Sequence, residues 1–530
     1  MNVAEILCAR AAVHPQRVAL HDAGSGKQLT YGQLDAASAR VAAALRARGL
    51  RPGETVLIVH SVGIELYAAL IGMLRAGAVP AIPPPGADLR ALARCAAQHP
   101  PRAVLAGGLG WAALAAIPAV RRAVLLTTSS APFAFDVVHA RNAANAHGRA
   151  LTDGTLEPRH NDEPAMLTFT SGSTGESKAL MRSHGVARAQ VAALGEALRL
   201  DGAVSLCTMP IVLLAELAAG ATCLLPDVDL RRPARVDAAR LAETMRAHGV
   251  ARIVASPALL ANLATVLRAR NETLPALRFI ASGGAPVMPP LVDALRAIAP
   301  NARIVAAYGS TEAEPIARLD ADDVTPADHA AMRRGAGLLA GVECCPGTVA
   351  IVATERGAVT GPFPHDDDVE RRALPPNAVG EIVVCGPHVV EHYLDRGADA
   401  TTKIRAGARI WHRTGDLGYR DARGRLWLVG RAAGRIDDAR GTLEPLRVEC
   451  ALSYLPGIAH SALAAADGAR VLVVEPLAGH AIDERAVRAA VAFAQIDRVV
   501  SAPVPVDPRH NAKVDYAALQ RLVRRFTRAA

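Results

Sequence analysis

The chain has 530 residues, 51% of them hydrophobic and 21% charged, with a formal net charge of +9. That length exceeds what one hydrophobic core spans, and the composition excludes wholesale disorder, so two or more folded domains are expected. The basic residues are scattered and only 3% of the chain is aromatic, which excludes a nucleic-acid platform; the positive balance suits anionic small-molecule substrates.

Along the chain, helical and strand patterns alternate. Gln33–Arg48 carries Leu34, Val41 and Leu45 on one helical face and is stopped by Gly49. Glu54–His60 is a short apolar run and predicts a buried strand; Ile64–Ala76 predicts a helix; Ala78–Ile82 predicts a strand before the break at Pro83, Pro84 and Pro85. Such alternation points to an α/β fold with a parallel-rich sheet. The stretch Val204–Pro226 is long enough to span a bilayer, but Pro210, Glu216 and Gly220 interrupt it, so it is expected to form buried strand and helix segments and no transmembrane segment.

Three later segments share one design. Met166–Thr170 runs into Ser171-Gly-Ser-Thr-Gly175, Leu277–Ala281 into Ser282-Gly-Gly-Ala285, and Ala302–Ala306 into Ala307-Tyr-Gly-Ser-Thr-Glu312. Each is an apolar strand ending in glycines and hydroxyls, and ligands of open α/β sheets sit beyond the carboxyl ends of strands. From Gly380 the pattern turns β-rich, at Gly380–Gly386 and Arg425–Val429, followed by Gly430-Arg431. The last hundred residues predict a small α+β unit, with strands near Ala462–Ala465 and Arg470–Val474 and a helix over 482–494. These patterns place a domain boundary near 430, dividing the chain into 1–430 and a mobile 431–530. Arg521, Arg524, Arg525 and Arg528 fall at the spacing of a solvated helix face. None of the eight cysteines forms a Cys-x-x-Cys pair, which argues against a disulfide framework or zinc site and fits a reducing cytoplasm. The N-terminus has no basic segment before an apolar run, so no signal peptide is expected.

The segment with the most chemistry is Thr170-Ser-Gly-Ser-Thr-Gly-Glu-Ser-Lys178. Its glycines let backbone approach a phosphate, its N–H groups and hydroxyls donate, and Lys178 adds a compact charge. It lacks the Gly-x-x-x-x-Gly-Lys-Ser/Thr spacing of kinase-type loops, and in isolation it also fits a solvent turn. It resembles the phosphate-binding loop of the adenylate-forming superfamily, which includes acyl-CoA synthetases, peptide-synthetase adenylation domains and luciferases. Tyr308-Gly-Ser-Thr-Glu312, Arg413-Thr-Gly-Asp416, Gly430-Arg431, Lys513 and the N-terminal Leu29-Thr-Tyr-Gly-Gln-Leu34 match further motifs of that family in order. Taken singly, Asp416 also fits a turn residue and Glu312 the acid of a helix N-terminus.

The resemblance implies an ATP-dependent enzyme that activates a carboxylic acid as its acyl-adenylate and releases pyrophosphate. It assigns the β- and γ-phosphates to Thr170, Ser171, Gly172, Ser173, Thr174, Gly175 and Lys178. Gly283, Gly284, Ala285 and Tyr308 would flank adenine, Gly309 and Ser310 of the same motif would belong to the ATP site, and Thr311 would contact the α-phosphate. Glu312 would bind Mg²⁺, Asp416 and Arg431 would hold the ribose, and Lys513 would meet the charge developing between carboxylate and α-phosphate. The cofactors implied are ATP and Mg²⁺; the partners are the acid and, as onward acceptors, CoA or an acyl carrier protein.

Ser310–Ala317, Ser256–Leu260, Asp438–Leu443 and Arg509-His-Asn-Ala-Lys513 resemble, more narrowly, the β-lactone synthetases of bacterial olefin biosynthesis. Those enzymes adenylate a β-hydroxy fatty acid whose hydroxyl closes on the activated carbonyl. The Ser-Gly-Ser-Thr-Gly loop is also the variant common in fatty acyl-AMP ligases. The chain departs from the family at Glu176, where proline is common, and at Ala179, where glycine is common. It departs again at Ala432-Ala433-Gly434, where an Asp or Lys hinge is usual, which counts against a second thioester step. Segment 204–220 lacks the aromatic-His pattern of many CoA ligases. His510 fits either an acid/base beside Lys513 or a structural hydrogen-bonding residue. The alternatives are an acyl-CoA ligase for a small or aryl acid and a nucleotide-binding homologue with impaired catalysis.

Overall fold

A computed structural model describes residues 1–84, 86–107, 114, 116–128, 135–136, 154–171, 177–229, 233–354, 361–506 and 513–528. The chain divides into two compact units. The first comprises Met1–Arg231, Ala247–Arg252 and Pro387–Asp399; the second comprises Arg232–Arg246, Ile253–Gly386 and Ala400–Ala530.

The first unit is α/β. Its seven-stranded sheet runs Phe135–Asp136, Val124–Thr127, Ala103–Ala106, Thr55–Val59, Val79–Ile82, Pro164–Ser171 and Ser177–Ser183. All neighbours pair parallel except the last two, which form an antiparallel hairpin. Parallel strands buried on both faces need continuous apolar sequence, and Ala103–Ala106 is buried at every position. The strands Val204–Cys207, Thr222–Leu225 and Val18–Asp22 also pair parallel, with the helix Pro210–Ala218 between the first two. The candidate bilayer span therefore resolves into strand, helix and strand, and no helix among the described residues is long and apolar enough to cross a membrane.

The Leu29–Leu34 motif has a local physical basis. Thr30 caps the helix Tyr31–Ala47 through a capping box with Gln33, and the Tyr31 hydroxyl donates to the Ala221 carbonyl at 2.7 Å. The cap starts this helix two residues before the periodicity alone predicts.

In the second unit the strand Phe279–Gly283 pairs parallel with Arg303–Ser310. From there the ladder is antiparallel through Ala313–Asp320, Leu338–Glu343, Leu426–Arg431, Arg409–Arg420, Gly380–Val384 and Val349–Val352. The last hundred residues form their own three-stranded sheet, Ile458–Ala466, Ala469–Pro476 and Arg498–Ser501. Strand alternation sorts its side chains to two faces. Leu463, Leu472 and Val474 pack with Val448 and Leu452 of the helix Pro445–Ser453, while Ala462, Val471 and Val473 pack with Leu519 and Val523 of the helix Tyr516–Arg528. Arg521, Arg524 and Arg525 are exposed on the opposite side of that last helix, as a solvated face requires. The segment expected as one helix over 482–494 is a shorter helix, Glu484–Ala490, followed by a 3₁₀ turn at Ala492–Ala494.

Candidate active site

In the second unit, the ends of two parallel strands bring the glycine segments together. Gly283 pairs with Ala307, and a Cβ on Gly283 would lie 2.8 Å from the Ala307 carbonyl, so no larger residue fits that register. Gly284 then turns with φ +80°, a conformation glycine adopts without strain. Tyr308, Gly309 and Ser310 end the neighbouring strand, and Thr311 and Glu312 form the turn into Ala313–Asp320. Glu312 is thus a hairpin-turn residue, and the helix-terminus alternative for it does not hold.

Asp416 is in the strand Arg409–Arg420, in register with Arg431, which corrects the turn alternative. Both its oxygens are used. The Tyr308 hydroxyl donates to Oδ2 at 2.7 Å and Arg431 donates to Oδ1 at 2.7 Å. Such charge-assisted bonds fix the carboxylate, and each oxygen keeps a further acceptor direction. Burial, with the neighbouring carboxylate, holds the Tyr308 phenol far above its usual range, so it stays a donor. Asp416, with Tyr308 and Glu312 beside it, holds the Arg431 guanidinium firmly protonated.

A support layer without a local sequence signal stands beneath. The Asp416 amide donates to the Thr414 hydroxyl at 3.0 Å, which donates to the Ile382 carbonyl at 2.8 Å. Buried Glu381 accepts from Arg413 at 2.9 Å and from the Gly415 amide at 3.2 Å. The backbone that presents Asp416 is therefore held by buried Glu381 of the neighbouring strand, through the Gly415 amide and Arg413. Lys513 is exposed at a bend just before the helix Tyr516–Arg528. His510 lies outside the described residues.

In the first unit, Thr170 and Ser171 end one strand of the antiparallel hairpin and pair with Lys178 and Ser177. Gly172, Ser173, Thr174, Gly175 and Glu176 lie outside the described residues. The Lys178 ammonium stands 5.3 Å from the Tyr393 ring centre, a cation–π distance. Ala179, the departure from glycine, is buried and packs into the apolar core of the sheet. Nearby strands and helices enclose a cavity of about 30 Å³ whose walls include Met166, Val191, Ile211 and Leu214. Its polar members, Arg182 and Gln190, are buried and bonded to each other at 2.9 Å.

The donor set of the second unit fits a nucleotide. The Ser282 and Ser310 hydroxyls are buried without a hydrogen-bond partner among the described residues, and each flanks a glycine turn. Buried hydroxyls in that state are open to a polar ligand or a water. Among the described residues no cluster of three His, Cys, Asp or Glu could cage a metal. A single carboxylate such as Glu312 suits Mg²⁺, which keeps waters and substrate phosphates as its other ligands.

Comparison with known proteins decides the family: the profile described as AMP-binding enzyme matches residues 7–394. The chain belongs to the AMP-binding enzyme family. It is 33% identical over 548 aligned residues to the olefin β-lactone synthetase of Stenotrophomonas maltophilia strain K279a, covering 97% of this chain and 96% of that protein. The olefin β-lactone synthetase of Xanthomonas campestris pv. campestris is also 33% identical, with the same coverage. Among solved structures, ATP-bound MatB from Rhodopseudomonas palustris superposes with a TM-score of 0.79 at 22% identity, over 99% of each chain. The anthranilate CoA ligase AuaEII with anthranoyl-AMP superposes with a TM-score of 0.81 at 15% identity, over 100% of this chain and 98% of that one. These likenesses establish the adenylate-forming fold. With the family match and the full-length relatives, they identify an ATP-dependent, acyl-adenylate-forming enzyme that acts on a carboxylic acid.

Proposed function

We propose that the enzyme activates an aliphatic β-hydroxy acid and closes it to a β-lactone. The observation that carries this reading is the match, along nearly the whole chain, to two proteins named olefin β-lactone synthetase. The acid's carboxylate oxygen attacks the α-phosphorus of ATP and pyrophosphate leaves. The β-hydroxyl oxygen then attacks the acyl carbon, AMP departs, and the hydroxyl proton is released. No thiol takes part. CoA and an acyl carrier protein are the acceptors of the alternative route, and the Ala432-Ala433-Gly434 segment supports the thiol-free one.

In this reading Asp416 accepts the ribose hydroxyls, held by Tyr308 and Arg431, and Thr311 contacts the α-phosphate. Gly283, Gly284, Ala285, Gly309 and Ser310 border the base, and the loop from Thr170 to Lys178 takes the β- and γ-phosphates. Glu312 would hold Mg²⁺, which would supply neutralisation of phosphate charge. Lys513, on a lid of residues 431–530, supplies a positive charge where negative charge develops, an electrostatic contribution made at the transition state. The aliphatic sequence run Met209–Leu214 is the candidate contact for a hydrocarbon tail. Eight cysteines without a disulfide suit a cytoplasmic setting. The test is ATP–pyrophosphate exchange with a panel of acids. Aliphatic and β-hydroxy aliphatic acids are expected to drive exchange, and exchange driven only by short or aryl acids would refute the substrate class.

A further inference from the structure

The turn that carries Lys513 is anchored immediately downstream. Val514 pairs with Val506 in an antiparallel bridge, and the Asp515 amide donates to the Pro505 carbonyl at 2.9 Å. Asp515 in turn accepts from the Ala518 amide at 2.9 Å, which starts the last helix. Tyr516, the first residue of that helix, leaves this local structure and reaches two other elements.

Its ring lies against the 3₁₀ turn Ala432–Gly434. A Cβ on Gly434 would stand 3.2 Å from Tyr516 Cε1, so a side chain there would crowd the ring. Its hydroxyl donates to Glu449 Oε1 at 3.3 Å. Glu449 belongs to the helix Pro445–Ser453, is 7% exposed, and has no ion pair among the described residues. A buried carboxyl group with few partners makes the Tyr516 bond costly to lose. The Gly434 turn begins one residue after Arg431, the partner of Asp416, and the Tyr516 phenol feels the charges of both.

We propose that Tyr516 is a positioning residue: seated on Gly434 and bonded to Glu449, it sets where Lys513 stands relative to the Asp416–Arg431 pair. This rests on the reading of Lys513 as the catalytic cation. Tyr516 touches no reacting atom in this account; it acts through a turn three residues away. A misplacement of about 1 Å at a catalytic group costs up to about 10²-fold in rate, so a loosened anchor shows in turnover rather than in ATP affinity.

The experiment is a double-mutant cycle read by pyrophosphate exchange in the full-length enzyme. Tyr516→Phe keeps the ring and removes the bond. It is expected to lower kcat about tenfold and leave the KM for ATP within about twofold, in an enzyme that still folds cooperatively but melts a few degrees lower. Glu449→Gln keeps an acceptor and is expected to retain wild-type turnover, whereas Glu449→Leu should match Tyr516→Phe. In a Lys513→Ala background, Tyr516→Phe should have no further effect. An equal fall in both backgrounds, or no fall in the wild-type background, overturns the positioning role. Full activity of Lys513→Ala alone overturns the reading of Lys513, and the proposal with it.

Discussion

Replacing Asp416 by Asn separates the charge of the ribose site from its shape. The two oxygens of Asp416 accept from Tyr308 and Arg431, each at 2.7 Å. The Asn amide has one acceptor and one donor side, and only one orientation is tolerable. Its oxygen must face the Arg431 guanidinium, which cannot accept, and its NH₂ must face the Tyr308 hydroxyl, which can. The fold should survive, because the Arg431 side chain is 48% exposed and an ion pair so solvated contributes at most about 1 kcal/mol. The nucleotide loses a charged acceptor. A hydrogen bond to a charged group is worth about 1.5–3 kcal/mol, so the KM for ATP should rise about 10–150-fold. Pyrophosphate exchange titrated with ATP, alongside a melting curve, measures both quantities. A KM within about threefold of wild type in a folded Asp416→Asn enzyme would refute the ribose assignment.

Glu312→Gln should raise the Mg²⁺ concentration needed for half-maximal exchange about tenfold or more, since it keeps the shape and removes the hard anionic ligand; titration of exchange rate against Mg²⁺ checks this, and unchanged dependence would remove Glu312 from the metal site. Across straight-chain acids, affinity should rise about fourfold per added methylene until the pocket is full, from about 0.8 kcal/mol per CH₂; competition binding with acids of increasing length measures the slope. Glu216 is buried, accepts from Ser205 at 2.9 Å, and is pushed up from 4.5 to about 7, chiefly by burial and against the pull of Arg252. The native state therefore keeps a proton that the unfolded chain loses, and stability falls as pH rises from 4.5 through about 7, by at most about 3 kcal/mol. Glu216→Gln should flatten that part of the profile in urea titrations at successive pH values, and an unaltered slope would contradict it.

The α/β alternation and the order of the motifs were legible in the sequence because both are local. Apolar runs flanked by glycine mark the starts of Phe279–Gly283 and Arg303–Ser310 within a residue or two, while the second strand runs four residues further than its apolar run. The fate of Glu312 and Asp416 was not legible in that way. An acid after Gly-Ser-Thr suits a helix start as well as a hairpin turn, and only the antiparallel return of Ala313–Asp320 decides between them. The same holds for Glu381, whose partner Arg413 is adjacent across a ladder but distant in sequence. Tyr516 and Glu449 carry no motif recognisable from spacing; their meeting depends on the packing of two helices against opposite faces of one sheet. Residues 482–494 divided because periodicity reports an amphipathic face without reporting where the helical hydrogen bonds stop.

The most direct measurement is product analysis of the enzyme supplied with a long-chain β-hydroxy acid, ATP and Mg²⁺, without any thiol. Mass spectrometry should find AMP, pyrophosphate and a neutral product lighter than the acid by one water, formed in equal amounts, and adding CoA should change neither rate nor product. Acyl-CoA formed efficiently on addition of CoA, with no lactone from any β-hydroxy acid, would contradict the account.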